Sequence, residues 1–248
     1  MSENFELLNN LELVGDLFPR TSHVTDGSET HSPRPAKGRL PNGFAEAVNL
    51  VQRVFLTAPE LVPHVVVFTS AQSGAGCSWV CARTSEALAG RLSGSVCVVD
   101  ANLRAPAMHR YFRVDNSCGL TQALHQDGPI LNYVQEISGR NLWVLTSGQP
   151  SAEQPAPWAS DRLALRVAEL RREFNFVLID SPATNLYADV TLLSSVADGA
   201  ILVLEADFTR REAALQAKNA LVAAKFRLLG AALNKRTFPI PEFIYRRF

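Results

Sequence analysis

Ala71-Gln72-Ser73-Gly74-Ala75-Gly76-Cys77-Ser78 has the glycine spacing of a phosphate-binding loop, with a cysteine where such loops carry lysine. In the pattern G-x-x-x-x-G-K-[ST], successive backbone N–H groups wrap the phosphates, the lysine reaches the β/γ-phosphates and the hydroxyl holds Mg²⁺. Gly74, Gly76 and Ser78 fit that pattern, and Cys77 does not. The flanks suit it: His64-Val65-Val66-Val67-Phe68-Thr69 is a β-branched apolar run, and residues 79–92 have the spacing of a helix. An ordinary Gly/Ser turn between strand and helix is the competing explanation for the loop taken alone.

The chain has 248 residues, 47% of them hydrophobic, enough for one substantial core. Its 24 basic and 24 acidic residues cancel, which gives no global attraction to nucleic acid or to an anionic membrane. The acidic start, Met1-Ser2-Glu3-Asn4-Phe5-Glu6, is unlike a secretory leader, and no apolar run approaches the length of a membrane span. A cytoplasmic protein without direct membrane insertion is the expectation. Cys77, Cys81, Cys97 and Cys118 show no paired C-x-x-C spacing, so neither a disulfide framework nor a structural zinc site is expected.

Three regions are expected. Residues 1–18 form a short amphipathic segment, with Phe5, Leu7, Leu8, Leu11, Val14 and Leu17 spaced for a helix. Residues 19–42, rich in Ser, Thr, Gly and Pro, read as a flexible linker. Residues 43–248 form the folded domain. Helical spacing opens it at 43–56, and strands and helices then alternate, with strands at 65–69, 96–100, 142–146, 176–180, 200–205 and 228–234. Helices are expected near 79–92, 161–174 and 210–224. Continuous apolar strands separated by helices imply a mostly parallel sheet covered on both faces. Ligands bind such sheets at the carboxyl ends of the strands, where the loop, Asp100, Asp180 and Asn234 all fall.

Two of those strands, Val96-Cys97-Val98-Val99-Asp100 and Phe176-Val177-Leu178-Ile179-Asp180, close on an aspartate. A buried strand-end carboxylate suits Mg²⁺ when phosphates lie on the adjacent loop; it also suits the capping of a turn or helix. Beside them stand Asn102-Leu103-Arg104-Ala105-Pro106, Gly119-Leu120-Thr121-Gln122-Ala123-Leu124, Asp198-Gly199-Ala200-Ile201-Leu202-Val203 and Leu229-Gly230-Ala231-Ala232-Leu233-Asn234. In this order the segments from 43 to 234 resemble the bacterial tyrosine kinases of capsule and exopolysaccharide synthesis. These are a branch of the deviant P-loop ATPases that also holds the MinD/ParA proteins. The resemblance implies an α/β, P-loop NTPase-like three-layer sandwich that takes ATP or ADP with Mg²⁺.

By position, the resemblance makes Ser73, Gly74, Ala75, Gly76, Cys77 and Ser78 the nucleotide loop and Asn234 the residue on adenine. Ser78, Asp100 and Asp180 become the metal ligands, and Asp100 and Asp180 the residual catalytic pair. It also implies activation by a membrane-embedded polysaccharide chain-length regulator of the Wzz type and autophosphorylation of a C-terminal tyrosine cluster. Nucleic acid is not an implied partner, and self-association stays open.

The chain departs from the family where chemistry is done. Cys77 replaces the lysine, Asn102 the second aspartate, and Ala75 a common glutamate. The family's E-x-x-R-x-x-R helix becomes Glu46, Asn49 and Gln52, and Tyr245 is the one tyrosine of the tail. Phosphoryl transfer depends on positioning and charge stabilisation, and one lost stabilising group costs on the order of 10²–10³ in rate. The leading expectation is therefore a catalytically degenerate, cytoplasmic regulatory subunit of exopolysaccharide or capsule biosynthesis or export, peripheral at the membrane only through a partner. An active tyrosine autokinase or slow ATPase, with Tyr245 as acceptor and Arg104 or Lys235 as substitute cation, is one alternative. A MinD/ParA-like positioning factor is another. At a helix N-terminus the Cys77 thiol is expected either to be acidified, as a redox-sensitive group, or to be a small packing residue.

Overall fold

The computed structural model describes residues 6–8, 43–56, 62–92, 94–149, 161–187 and 189–235. Their strands are β1 (Glu6–Leu8), β2 (Val65–Ser70), β3 (Val96–Asp100), β4 (Gln135–Glu136), β5 (Leu142–Leu145), β6 (Phe176–Asp180), β7 (Gly199–Glu205) and β8 (Leu228–Asn234). The α-helices are α1 (Gly43–Val51), α2 (Cys77–Arg91), α3 (Met108–Phe112), α4 (Leu120–His125), α5 (Asp161–Glu173), α6 (Asp189–Leu192) and α7 (Arg211–Ala223).

The strands form one eight-stranded sheet in the order β1-β8-β7-β2-β6-β3-β5-β4. Only the edge strands β1 and β4 pair antiparallel with their neighbours. All six residues of β2 are buried because both faces of the sheet are covered. Alternation along the strand then sorts the side chains. Val65 and Val67 point, with Cys97, Val99, Val177 and Ile179, into a core shared with α4, α5 and α7. Val66 and Phe68 point, with Val96, Val98 and Leu178, into a core shared with α1, α2 and α3. The result is three layers, helices on both faces of a mostly parallel sheet.

Helix α2 is built largely of small residues, and Cys77, Val80, Cys81, Ala82, Ala87 and Leu88 are all buried on it. It lies between the sheet and α1, so two of its sides are covered, and small side chains let both neighbours approach. That packing fixes the start of α2 under the loop that precedes it.

The chain adds β3 and β5 on one side of β2, returns to insert β6 between β2 and β3, and then builds β7 and β8 on the other side. This reversal gathers the carboxyl ends of β2, β6 and β3 into one crevice. The helix expected across residues 4–17 is not what the described part of that segment forms: 6–8 is an edge strand, with Glu6, Leu7 and Leu8 opposite Leu233, Ala232 and Ala231. Pairing with an open sheet edge overrode the helical spacing. The linker at 19–42 and the tail from 236 onward, with Tyr245, lie outside the described residues.

Candidate nucleotide site

The loop between β2 and α2 turns on two glycines. Gly74 and Gly76 have φ of +88° and +82°, a left-handed backbone that side chains disfavour. At Gly76 a Cβ would also run into the Asn234 amide. The Gly76 carbonyl then accepts from the Val80 N–H at 3.0 Å, which starts α2 with its free N–H groups facing the loop. Ser70 Oγ donates to the Gln72 carbonyl at 2.8 Å and pins the loop entry. Ser73 and Gly74 are exposed, Ala75 and Cys77 are buried, and Gly76 and Ser78 lie between.

Asp100 and Asp180 stand opposite one another on neighbouring strands. Their surroundings differ. Asp100 Oδ2 accepts from the backbone N–H of Ala107 at 2.8 Å and of Met108 at 2.9 Å, which ties it to the start of α3. Its Oδ1 accepts from the Asn102 N–H at 3.3 Å. Burial raises the Asp100 carboxyl above its ordinary pKa, and these N–H groups offset part of that shift. Both oxygens of Asp180 are buried without a hydrogen-bond partner. Burial, with Asp100 adding to it, raises the Asp180 carboxyl to about 8. The Ser78 hydroxyl and the Cys77 thiol alongside pull it partly back, although neither closes a hydrogen bond of normal geometry.

The expected acidification of Cys77 is corrected here. Burial foremost, then the Asp180 charge and Cys81, hold the thiol well above the usual range. Desolvation next to a carboxylate outweighs the helix N-terminus, so Cys77 is a neutral packing residue facing Asp180. Asn102 accepts the Ala105 N–H on its Oδ1 at 3.3 Å and so closes its own turn. Arg104 lays its guanidinium 4.1 Å from the centroid of the Tyr187 ring.

From the other side, Asn234 Nδ2 donates to the Ala75 carbonyl at 2.9 Å, and its Oδ1 is buried without a partner. The amide therefore faces the loop backbone. Lys235 Nζ donates to the Gly74 carbonyl at 2.8 Å and pairs with Glu205 Oε1 at 3.2 Å. Glu205 was not among the residues singled out from sequence, though it ends a buried strand on the same side of the sheet as Asp180 and Asn234. Past β6 the crevice wall is pinned to β2. Thr69 Oγ1 donates to the Pro182 carbonyl at 2.8 Å and meets Thr184 Oγ1 at 2.9 Å, and the Thr184 N–H donates to the Ser70 carbonyl at 2.8 Å. Among the described residues, no group of three or more His, Cys, Asp or Glu is arranged to hold a metal by itself.

The family model "ATPase MipZ", of the ParA/MinD-like P-loop type, matches residues 64–210. The tyrosine-protein kinase YwqD of Bacillus subtilis (strain 168) is 36% identical over 170 residues, which cover 68% of this chain and 71% of that protein. The chain belongs to the bacterial tyrosine kinase family. A solved structure of the chimerical protein CapA2B2 superposes on this member with a TM-score of 0.73 at 25% identity, covering 78% of the chain and 85% of CapA2B2. Fold alone extends the likeness to the septum site-determining protein MinD of Pyrococcus horikoshii OT3, described as complexed with Mg-ADP. There the TM-score is 0.58 at 23% identity, with 68% of each chain covered.

Proposed function

We propose that this tyrosine-kinase-like protein is catalytically degenerate and serves as a nucleotide-responsive regulatory subunit in exopolysaccharide or capsule biosynthesis or export. The observation that carries the proposal is Cys77: a buried, neutral thiol against Asp180 occupies the place of the loop's lysine. With Asn102 turned to its own backbone, Asp100 is the one carboxylate left of that acidic pair, and it accepts the N–H groups of Asn102, Ala107 and Met108. Two stabilising groups are then missing, and each is worth on the order of 10²–10³ in rate.

The residues that remain fit Mg²⁺ and phosphates. Asp180 has two buried oxygens with no other partner, the Ser78 hydroxyl stands beside it, and the glycines shape the loop. Ser78 and Asp180 would hold Mg²⁺, with Asp100 behind them, and the backbone of 73–78 would hold the phosphates of ATP or ADP. Bound Mg²⁺ would neutralise phosphate charge. The chain's own share is to position and desolvate that group.

The family supports action through a membrane-embedded chain-length regulator. Location in the cytoplasm, peripheral at the membrane, follows from such a partner. The test uses the purified full chain with Mg·ATP. The wild type is expected to bind Mg·ADP in calorimetry and to form no phosphotyrosine, and Cys77→Lys is expected to tighten Mg·ADP about 10- to 100-fold. Phosphotyrosine on the wild type sinks the degenerate assignment in favour of the autokinase, and absence of Mg·ADP binding sinks the nucleotide assignment.

A further inference from the structure

Lys235 lies outside every loop motif, yet its ammonium touches the loop. Its Nζ donates to the Gly74 carbonyl at 2.8 Å across 161 residues of sequence. Asn234, one residue earlier, grips Ala75 in the same way. Consecutive residues at the end of β8 thus hold consecutive residues of the loop. The approach needs an unusual backbone: Lys235 has φ +58°, the left-handed region that a residue with a side chain enters only when its surroundings hold it there. Glu205, opposite Asn234 at the end of β7, pairs with the ammonium at 3.2 Å and fixes its direction.

We propose that Lys235 supplies the phosphate-facing positive charge that Cys77 cannot, so that the cation of this nucleotide site arrives from the last strand instead of from α2. The inference rests on the nucleotide reading above. Charge balance at the crevice supports it. Glu205 already brings a carboxylate to this end of the sheet, beside the buried carboxyls of Asp100 and Asp180, and phosphates would add negative charge. Arg104 is stacked on Tyr187, and the Lys235 ammonium is placed on the loop itself. Two of its three N–H donors are accounted for by Gly74 and Glu205. Its side chain is about one-third exposed, so a small shift toward phosphate requires no burial of a bare charge. Glu205 acts as a positioning residue.

The experiment is calorimetric titration of the full chain with Mg·ADP, with thermal melts of each variant. Lys235→Gln is expected to weaken Mg·ADP about 10- to 100-fold, Lys235→Arg to retain most of the affinity, and Cys77→Lys to restore it in the Lys235→Gln background. A residue that merely clamps the loop would let Cys77→Lys tighten Mg·ADP by the same factor in both backgrounds, whereas a replaced charge shows as a larger gain in the Lys235→Gln background than in the wild type. Unchanged affinity in Lys235→Gln, or no larger gain in a double variant that melts like the wild type, overturns the inference and leaves the nucleotide reading standing. Where the double variant melts early, Lys235→Arg decides: retained affinity supports the charge, and loss equal to that of Lys235→Gln overturns it. Failure of the wild type to bind Mg·ADP removes the nucleotide reading, and this inference with it.

Discussion

Two buried ionisable side chains, Arg166 and Asp180, show opposite ways of placing a charge inside this protein. Arg166, on α5, donates from Nε to the Ala123 carbonyl at 2.7 Å, from Nη1 to the Gly128 carbonyl at 2.7 Å and from Nη2 to the Gln126 carbonyl at 2.6 Å. It pairs with Glu169 at 2.9 Å and lies 5.9 Å from the centroid of the Tyr133 ring. It fastens α4 and the turn after it to α5, and its fork geometry is filled by protein. Asp180 is at least as buried but has no hydrogen-bond partner on either oxygen, and its carboxyl is raised to about 8. A charge buried for structure is surrounded by its own partners. A carboxyl kept bare at the mouth of a phosphate loop costs stability without structural return, which under the proposed function is the cost of keeping a place for Mg²⁺.

The largest effect expected is at the satisfied centre. Arg166→Met leaves three carbonyls without their donor and takes the guanidinium from Glu169, which keeps the Ile130 N–H, and should lower unfolding free energy by about 3–5 kcal/mol in denaturant titration, with little change in Mg·ADP affinity of the folded fraction. A loss below about 1 kcal/mol would erase the contrast.

At the bare centre the sign reverses. Asp180→Asn should raise stability at pH 8 by about 1–3 kcal/mol, because a neutral amide replaces an unpaired carboxylate, while the Mg²⁺ dependence of ADP binding disappears. A destabilised variant would show that Asp180 has partners of its own.

The smallest effect is a slope. Between about pH 4 and pH 8 folded Asp180 keeps a proton that the unfolded chain has shed, so the folded state binds more protons and its stability falls as pH rises. The fall levels off above the folded pKa. Melts in Mg²⁺-free buffer at several pH values measure it, and Asp180→Asn should flatten it. Stability that rises across this window would contradict the raised carboxyl.

Much of the frame was legible in the sequence because it rests on local pattern. β3, β6 and β8 have the bounds their apolar runs announce, since each run ends on an Asp or Asn at the strand terminus. α3 and α4 were not foreseen. With five and six residues they carry too little periodicity, and α4 is started from afar by the Thr146 and Ser147 carbonyls, which accept from the N–H of Leu120 and Thr121. The site divides similarly. Its loop and two aspartates are read directly, whereas the α3 N–H groups on Asp100, the amide of Asn234 on Ala75 and the grip of Lys235 on Gly74 exist only after folding. Arg166 was not singled out from the sequence, because nothing in its neighbours announces burial.

The pairing of residues 6–8 with β8 has a practical consequence for anyone who shortens the chain. The strand that ends at Asn234, just before Lys235, would otherwise end the sheet with a bare row of N–H and C=O groups, a ready template for a second molecule. Versions trimmed of their first ten residues would offer that row to one another. Any oligomer seen in such a preparation would then report the cut and not the protein, so the question of self-association has to be asked of the untrimmed chain.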